Sequence, residues 1–425
     1  MPRPSSCALV RRPRCLAGCR GDLRGCRRSF AVPPRIRKGS PLSTSSRTGR
    51  AGHRDLPTAA RAALVVLLLY VFLVGVALLE AGIAALGAGF QQGLLEQVAN
   101  PISGLSAGIL VTVLVQSSSV STAAIVGLVG AGTLTLPAAI PMIMGANIGT
   151  TVTNTLAALG NIRRTEEFRR GFAGATMHDL FNVLAVAILL PLELAFGWLS
   201  RSAVWLTEIL RETEIDAAAP PASPIRRAVR FPVEQLEHII DPTILGSLVA
   251  GVLLLAIGLG LIFLGLGFVT RNMRLLVAGA VERTMNRIVG RGGGSVGILV
   301  GIAVTVAVQS STITTSILVP LVAAGILTLR NAYPITLGAN VGTTITALLA
   351  SLAVLRPEGL SIALVHTLFN LTALALLYPI PQVRVLPIRA AGWLADQAVG
   401  RRSVMVTYVL GLFLVVPLLG IVLLD

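Results

Sequence analysis

Long apolar segments alternate with short polar ones along most of this chain. Five of the apolar segments are on the order of 20 residues long, which is the length of a helix that crosses a bilayer. They cover residues Ala62–Leu86, Leu180–Leu199, Ile244–Val269, Ile362–Ile380 and Val404–Leu424. The alternating pattern of a membrane β-barrel is missing, and helices are the remaining element that satisfies its own backbone in lipid. The pattern therefore predicts an all-α, polytopic membrane protein.

A second pattern is an internal repeat. Residues Gly108–Gly160 and Gly301–Ala353 align without a gap, and about 30 of roughly 53 positions are identical, far above chance for two apolar stretches. A further pair of blocks follows the two copies, at His178–Asn182 and His366–Asn370. Two halves interrupted by Gly and Ser/Thr clusters are typical of secondary transporters, whose site lies between the repeats. If each half crosses the membrane an odd number of times, the halves are inverted.

These patterns divide the chain into four segments. We expect a basic, disordered tail at residues 1–60, a first transport repeat at 61–200, a polar connection at 201–242 and a second repeat at 243–425. The apolar stretches on either side of each Gln-Ser-Ser block are about 10–16 residues long. Such lengths suit re-entrant or broken helices better than full spans.

Composition and charge agree with a membrane protein. The chain is 54% hydrophobic and 13% charged, whereas soluble domains carry about 25% charged residues. The formal net charge of +16 comes mostly from the tail, which holds about 15 Lys and Arg residues. Because the rest is nearly neutral, nucleic-acid binding is not expected. A basic segment just before the first span predicts a cytoplasmic N-terminus.

Two polar clusters are duplicated inside apolar sequence. Residues 116–122 read Gln-Ser-Ser-Ser-Val-Ser-Thr, and residues 309–315 read Gln-Ser-Ser-Thr-Ile-Thr-Thr. One serine can bond back to its own helix, but consecutive hydroxyls favour a helix break whose free N–H groups converge on an anion. Two such helix starts facing each other would bind an oxyanion without a buried lysine or arginine. The candidate ligands are Gln116, Ser117, Ser118, Ser119, Gln309, Ser310, Ser311 and Thr312.

A second duplicated motif offers oxygen ligands for a cation. Residues 145–151 read Gly-Ala-Asn-Ile-Gly-Thr-Thr, and residues 338–344 read Gly-Ala-Asn-Val-Gly-Thr-Thr. Glycine allows close backbone approach or an unwound stretch, and Asn and Thr oxygens suit an alkali cation. The motif also fits a small-residue helix interface of the Gly-x-x-x-Gly kind. The two interpretations are compatible.

Asp179 is the one acidic residue in the paired blocks His178–Asn182 and His366–Asn370, and its counterpart in the second half is Thr367. A carboxylate at membrane depth is costly and is therefore a functional candidate. His178 and His366 are candidates for proton carriers or for structural histidines. The candidate sodium ligands are Thr122, Asn147, Thr150, Thr151, Asp179, Asn182, Thr315, Asn340, Thr343, Thr344 and Asn370.

Together these motifs resemble those of the type II sodium-dependent phosphate cotransporters. The resemblance covers roughly residues 62–424 and extends to residues 168–179 and to Tyr-Pro-Ile-Pro at 378–381. It implies sodium-coupled symport of inorganic phosphate through an inverted-repeat core, with both Gln-Ser-Ser regions binding phosphate and sodium. Electrogenic members of that family carry the residues that stand here as Ala173, Ala175 and Asp179.

The expected partners are inorganic phosphate, Na+ and the lipid bilayer, and a homo-oligomer is left open. Na+ is expected as a co-transported ion, with no cofactor and no transition metal. All four cysteines lie in the tail, at Cys7, Cys15, Cys19 and Cys26, so no disulfide can link the two repeats. The short connection between the halves, and Lys38 as the single lysine, favour a multi-pass protein of a bacterial inner membrane.

On the residues alone, other classes stay open. Hydroxyl groups do not select phosphate over sulfate or a dicarboxylate, so a sodium- or proton-coupled carrier of another oxyanion, or a channel, also fits. A membrane enzyme with a serine nucleophile fits less well, because duplication of a whole active site is unexpected. We also expect no nucleophile elbow of the Gly-x-Ser-x-Gly form. We therefore predict a transporter and not an enzyme.

Overall fold

A computed structural model describes residues 57–215, 224–289 and 294–423. Within these ranges the chain forms helices and no strand, which confirms the all-α class. The four cysteines and nearly all of the predicted tail lie outside the described residues. The helices are α1 (Thr58–Leu86), α2 (Ala88–Gln97), α3 (Pro101–Val115), α4 (Ser118–Gly130), α5 (Leu136–Gly149), α6 (Val152–Ala158), α7 (Thr165–Phe196), α8 (Trp198–Ile215), α9 (Pro224–Ile239), α10 (Pro242–Leu245), α11 (Ser247–Val289), α12 (Gly294–Val308), α13 (Ser311–Ala323), α14 (Leu329–Ser351), α15 (Pro357–Leu377), α16 (Pro381–Gly400), α17 (Arg402–Leu410) and α18 (Val416–Val422).

Five of the described helical segments are long and apolar enough to cross a membrane. They are α1, α7, the first 30 residues of α11, α15 and the continuous segment from α17 to α18. Each contains most of one apolar run predicted from the sequence, which confirms a polytopic membrane protein. Helix α7 begins at Thr165, well before the predicted run, because Glu166 and Glu167 in its first turn are favoured at a helix start.

Helices α3 and α4 form a hairpin, and α12 and α13 form an equivalent one. Gly104 packs against Ala138, and Gly108 packs against Met142, so α5 runs parallel to α3. Helix α4 must therefore return the chain to the level at which α3 began. At 15 and 13 residues, the two arms are each about 20 Å long, too short for a hydrocarbon core of about 30 Å. This matches the re-entrant helices that the sequence predicts.

Helices α1 and α11, which open the two halves, pack against each other in antiparallel directions. A Cβ placed on Gly75 would lie 2.8 Å from the backbone nitrogen of Ile262, and one on Gly82 would lie 2.5 Å from that of Leu255. As the residue numbers rise along α1, the numbers of the residues contacted on α11 fall, so the two helices are antiparallel. The backbones approach this closely because glycine has no side chain at the contact.

The connection predicted as polar at residues 201–242 is helical over most of its described part. Helix α9 lies within it, and α8 begins just before it, at Trp198; both are amphipathic, with Ala203, Val229 and Val233 buried. Asp241 caps α10, since its side chain accepts a 2.8 Å hydrogen bond from the N–H of Thr243. A mostly polar composition therefore conceals an apolar stripe on each helix.

We expect Gly108→Ala and Gly301→Ala to destabilise the protein. The added methyl groups would collide with the carbonyl oxygens of Met142 and Ile335, and main-chain atoms cannot rotate away. Overpacking of this kind costs about 1–3 kcal/mol, so the thermal unfolding midpoint in detergent should fall by several degrees. Gly260→Ala is the control, because no heavy atom lies within 4 Å of the added carbon. Equal midpoints for all three variants would contradict the close packing of α3 on α5.

Candidate functional site

The two Gln-Ser-Ser motifs form the tips of the two hairpins. Gln116 and Gln309 both have φ of 57°, a left-handed conformation that ends α3 and α12 and turns the chain. Ser117 and Ser310 then cap α4 and α13, each accepting a 3.4 Å hydrogen bond from the N–H three residues later. The helix break predicted from the clustered hydroxyls is therefore present in both copies.

Each hairpin tip is fixed by a threonine that sequence reasoning missed. The Oε1 atom of Gln116 accepts a 2.9 Å hydrogen bond from the hydroxyl of Thr153. In the second copy, Oε1 of Gln309 accepts a 3.1 Å bond from the hydroxyl of Thr346. The two threonines occupy equivalent positions in the repeat, and this pairing is the signal that could have revealed them.

One cavity of about 220 Å³ lies between the two hairpin tips. At about 30 Å³ per water molecule, it has room for roughly seven waters, or for a tetrahedral oxyanion with part of its hydration shell. Its polar lining is Ser117, Ser119, Gln309, Ser310 and Thr270. Candidates from both motifs thus meet at one place, and Thr270 of α11 joins them.

Four of the predicted oxyanion ligands do not line this cavity with their side chains: Gln116, Ser118, Ser311 and Thr312. Ser118 and Ser311 are buried elsewhere, in the first turns of α4 and α13. Backbone N–H groups in a first helical turn have no acceptor within the helix and carry the positive end of its dipole. These residues can therefore contribute main-chain donors rather than hydroxyls. None of the residues that line the cavity is charged.

The four predicted asparagines lie in one buried network that joins the two halves. His178 Nε2 lies 2.6 Å from Asn340 Oδ1, and Asn340 donates a 2.7 Å bond to Asn182 Oδ1. Asn182 donates to the carbonyl of Asn147 at 2.7 Å. Asn370 approaches Asn147 Oδ1 at 3.4 Å, and its own Oδ1 is buried without a partner. An amide oxygen of this kind is available to a cation.

The threonines of the Gly-Ala-Asn motifs all donate to their own helices. The hydroxyls of Thr150, Thr151, Thr343 and Thr344 bond to carbonyls three or four residues back, at 2.8–2.9 Å. Thr122 and Thr315 do the same with Ser119 and Ser311. Each hydroxyl oxygen keeps lone pairs for a further contact. The predicted unwinding occurs only in the first copy, between α5 and α6, because α14 runs through the equivalent residues without a break.

Asp179 is fully buried and only half satisfied. Its Oδ2 accepts 3.0 Å hydrogen bonds from the hydroxyls of Thr155 and Tyr408, while its Oδ1 has no partner. Tyr408 lies on α17, in the second half but outside the two aligned copies, and the position equivalent to Thr155 is Leu348. No ion pair to Asp179 is found in the part of the chain that the structure describes. The two hydroxyls that donate to this carboxylate therefore come from different halves, Thr155 from the first and Tyr408 from the second.

Asn154 is a further polar residue of the first half. It donates a 2.6 Å hydrogen bond to Thr315 and accepts a 3.1 Å bond from Ser316, so it links α6 to α13. Ala347 stands at the equivalent position of the second copy, and a search for duplicated residues therefore passes over it.

The structure also bears on the alternative of a membrane enzyme with a serine nucleophile. Residues 104–108 read Gly-Leu-Ser-Ala-Gly and have the letters of a nucleophile elbow. They lie inside α3, whereas an elbow needs a strand-to-helix turn. Among the described residues, no three His, Cys, Asp or Glu side chains form a group that could hold a metal. The oxygens offered to a cation come mainly from Asn, Thr and Asp179.

Comparison with known proteins gives a consistent assignment. The model of the family described as Na+/Pi-cotransporter matches residues 71–200 and 261–386. Sodium-dependent phosphate transport protein 2A of Ovis aries is 35% identical over 386 residues, which are 75% of this chain and 60% of that protein. Sodium-dependent phosphate transport protein 2B of Homo sapiens is 33% identical over 405 residues, which are 76% and 58% of the two chains.

Protein 2A of Oryctolagus cuniculus is 34% identical over 433 residues, covering 86% of this chain and 67% of the relative. The chain spans about three fifths of the length of most of these relatives. No solved structure matches. The matched residues include both hairpins, both Gly-Ala-Asn motifs and the Asp179 region, so this chain belongs to the Na+/Pi-cotransporter family.

Proposed function

We propose that this chain is a sodium-coupled symporter of inorganic phosphate in a bacterial plasma membrane, with its N-terminus in the cytoplasm. The observation that carries the proposal is a cavity lined by residues of both Gln-Ser-Ser motifs. The relatives are sodium-dependent phosphate transport proteins, and they supply the substrate and the coupling ion of the proposal.

Phosphate binds between the hairpin tips in this proposal. The hydroxyls of Ser117, Ser119 and Ser310 and the amide of Gln309 donate to its oxygens. The N–H groups of the first turns of α4 and α13 add two positive dipole ends without a fixed charge. A site of this kind binds an anion and can still release it, because no buried lysine or arginine holds the ion.

Sodium binds to the amide and carboxylate oxygens beside the hairpins. Asn147, Asn182, Asn340 and Asn370 already form one network across the two halves, and Asp179 supplies the negative charge. A cation there reduces the electrostatic cost of bringing divalent phosphate into the membrane. Each ion then raises the affinity for the other by the same factor, which is the basis of coupling.

The halves are inverted relative to each other in this proposal, as in other transporters built from such repeats. The antiparallel packing of α1 on α11 supports this arrangement, because these are the equivalent first spans of the two halves. Alternating access then follows when one half moves against the other around a site made by both.

Uptake of radiolabelled phosphate into proteoliposomes tests the function. We expect accumulation when sodium is high outside, and uptake near background when potassium replaces it. A tenfold excess of sulfate or of a dicarboxylate should leave phosphate uptake unchanged. Equal uptake in the two cations would exclude sodium coupling, and full competition by sulfate would favour the carrier of another oxyanion.

Ser119→Ala should raise the KM for phosphate by about 10- to 100-fold, because a hydrogen bond to a charged group contributes about 1.5–3 kcal/mol. Ser121→Ala is the matched control on the same helix. The Ser121 hydroxyl donates to the carbonyl of Ser117 at 3.1 Å and does not line the cavity. Initial uptake rates measured over a range of phosphate concentrations give the KM of each variant. If the two variants have the same KM, the cavity is not the phosphate site.

A further inference from the structure

A further duplicated motif lies just beyond the residues matched by the family. Residues 201–208 read Arg-Ser-Ala-Val-Trp-Leu-Thr-Glu, and residues 389–396 read Arg-Ala-Ala-Gly-Trp-Leu-Ala-Asp. The family model ends its two matches at residues 200 and 386. Both segments keep Arg, Ala, Trp, Leu and an acid at the same spacing, on α8 and α16, which follow the equivalent helices α7 and α15.

The two helices carry the same division between a buried and an exposed face. Ala203 and Ala391 are fully buried, whereas Trp205 and Trp393 are 60% and 63% exposed. Small side chains let each helix lie close to the bundle, so the tryptophans point away from it. Large exposed aromatic side chains at the same place in both halves need an environment that is partly apolar, since water alone would make them costly.

An arginine stands one helical turn before each tryptophan. Arg201 and Arg389 are exposed, and neither makes an ion pair or a side-chain hydrogen bond within the described ranges. Arg201, Val204 and Trp205 also line a surface depression of about 350 Å³ on α8, together with Ser200 and Glu208. A free guanidinium beside an indole ring, above an apolar surface, matches a phosphate group above acyl chains.

Contacts between the halves place the two helices at opposite ends of the bundle. Thr207 of α8 lies 2.9 Å from Ser361, near the start of α15. Asp396 of α16 pairs with Arg169, near the start of α7. Helix α8 follows the end of α7 and reaches the start of α15, whereas α16 follows the end of α15 and reaches the start of α7. Each of the helices α8 and α16 therefore lies toward the side of the bundle where the long span of the other half begins. The antiparallel packing of α1 on α11 agrees with this, because these equivalent helices of the two halves also run in opposite directions.

We propose that α8 and α16 are interfacial helices that bind phospholipid headgroups in opposite leaflets. Arg201 and Arg389 contact the phosphodiester, and Trp205 and Trp393 lie at the level of the glycerol backbone. This arrangement does not depend on which anion the protein transports. The two halves are thus anchored at opposite ends of the bundle, so the bilayer holds α8 and α16 at defined depths.

The chain contains three tryptophans, which makes the depth measurable. Trp198→Phe with Trp393→Phe leaves Trp205 as the sole fluorophore, and Trp198→Phe with Trp205→Phe leaves Trp393. In proteoliposomes of oriented full-length protein, we expect each to be quenched about twofold more by lipids brominated near the headgroup than by lipids brominated near the chain end. Iodide added outside should quench one of the two tryptophans and not the other.

Each alternative gives a different result. Stronger quenching by the deeply brominated lipid would place the helices inside the hydrocarbon core and overturn the proposal. A lack of quenching by either lipid would mean that protein, such as a second copy of this chain, covers the face. Quenching of both tryptophans by outside iodide would contradict opposite leaflets.

The arginines are tested separately with spin-labelled phosphatidylglycerol and diacylglycerol, which differ in the phosphate. Arg201→Gln and Arg389→Gln should each lower the preference for phosphatidylglycerol at the protein surface by about fivefold. Arg330→Gln, at an exposed arginine of α14 outside the two motifs, should leave it unchanged. An unchanged preference in the first two variants would remove the headgroup contact, whatever the depth of the tryptophans.

Discussion

Asp179→Gly is expected to keep sodium-dependent phosphate uptake and to lose the phosphate-evoked current. Phosphate at neutral pH is largely divalent, so two sodium ions make a neutral cycle and three carry one net positive charge. Asp179 is buried, and its Oδ1 has no partner. A hard, negatively charged oxygen free at membrane depth is the ligand that an additional sodium ion requires. Removing it should remove that ion and leave the other two.

The magnitude of this effect is set by the membrane potential. One charge moved across 100 mV corresponds to about 2.3 kcal/mol, or roughly 50-fold in the concentration ratio that can be reached. Wild-type proteoliposomes should therefore accumulate far more phosphate when the interior is made negative, whereas Asp179→Gly should hardly respond. Current and tracer uptake measured in the same preparation give the charge moved per phosphate.

Two controls separate charge from structure. Asp179→Asn retains the size of the side chain and should behave as Asp179→Gly does. Glu358→Gln removes an exposed carboxylate from the first turn of α15 and should stay electrogenic. If Asp179→Gly still moves one charge per phosphate, the additional sodium binds elsewhere. Asp179 then acts only as the acceptor of the hydrogen bonds from Thr155 and Tyr408.

Gln309→Gly should fold with a stability close to that of the wild type and yet lose phosphate uptake by tenfold or more. The residue has φ of 57°, where a side chain costs about 1–2 kcal/mol and glycine costs nothing. The substitution therefore relieves the backbone while removing an amide that lines the cavity and accepts a bond from Thr346. The lost bond from the buried Thr346 offsets that relief, so the thermal unfolding midpoint should change little while the initial uptake rate, measured on the same preparation, falls strongly.

Gln116→Gly is the matched comparison, because Gln116 has the same φ and an equivalent bond from Thr153. Its side chain does not line the cavity, so its loss should reduce uptake much less. If both variants transport at the wild-type rate, the bend at the hairpin tip matters and the amide does not. Equal, large losses would mean that both tips contact phosphate during the cycle.

The sequence predicted well the features that appear in it as long apolar runs or as duplicated motifs. A span needs about 20 apolar residues in a row, and all five such runs lie in helices. The paired Gln-Ser-Ser clusters predicted a helix break, and the structure has one at each Gln. Burial of several hydroxyls without a helix end would be too costly, so these positions had few alternatives.

The features that were missed depend on single residues or on amphipathic surfaces. Asn154 and Tyr408 have no duplicate, and a contact between residues as far apart as Asp179 and Tyr408 leaves no local trace. Helices α8 and α9 were predicted as polar sequence because a stripe of a few apolar residues is diluted by its charged neighbours. Thr153 and Thr346 were duplicated, but a threonine inside a helix usually bonds to its own backbone.

The glycines where α1 meets α11 recur at seven-residue intervals, at Gly75 and Gly82 on one helix and at Gly251 and Gly258 on the other. Gly75 faces Gly258, and Gly82 faces Gly251. A contact between equivalent helices in opposite directions is self-complementary, as in a two-fold homodimer. A half-length ancestor that inserted into the membrane in both orientations could have paired with itself through the same surface. Gene duplication would then have fused an existing dimer, and the joint between the halves would be older than the chain that contains it.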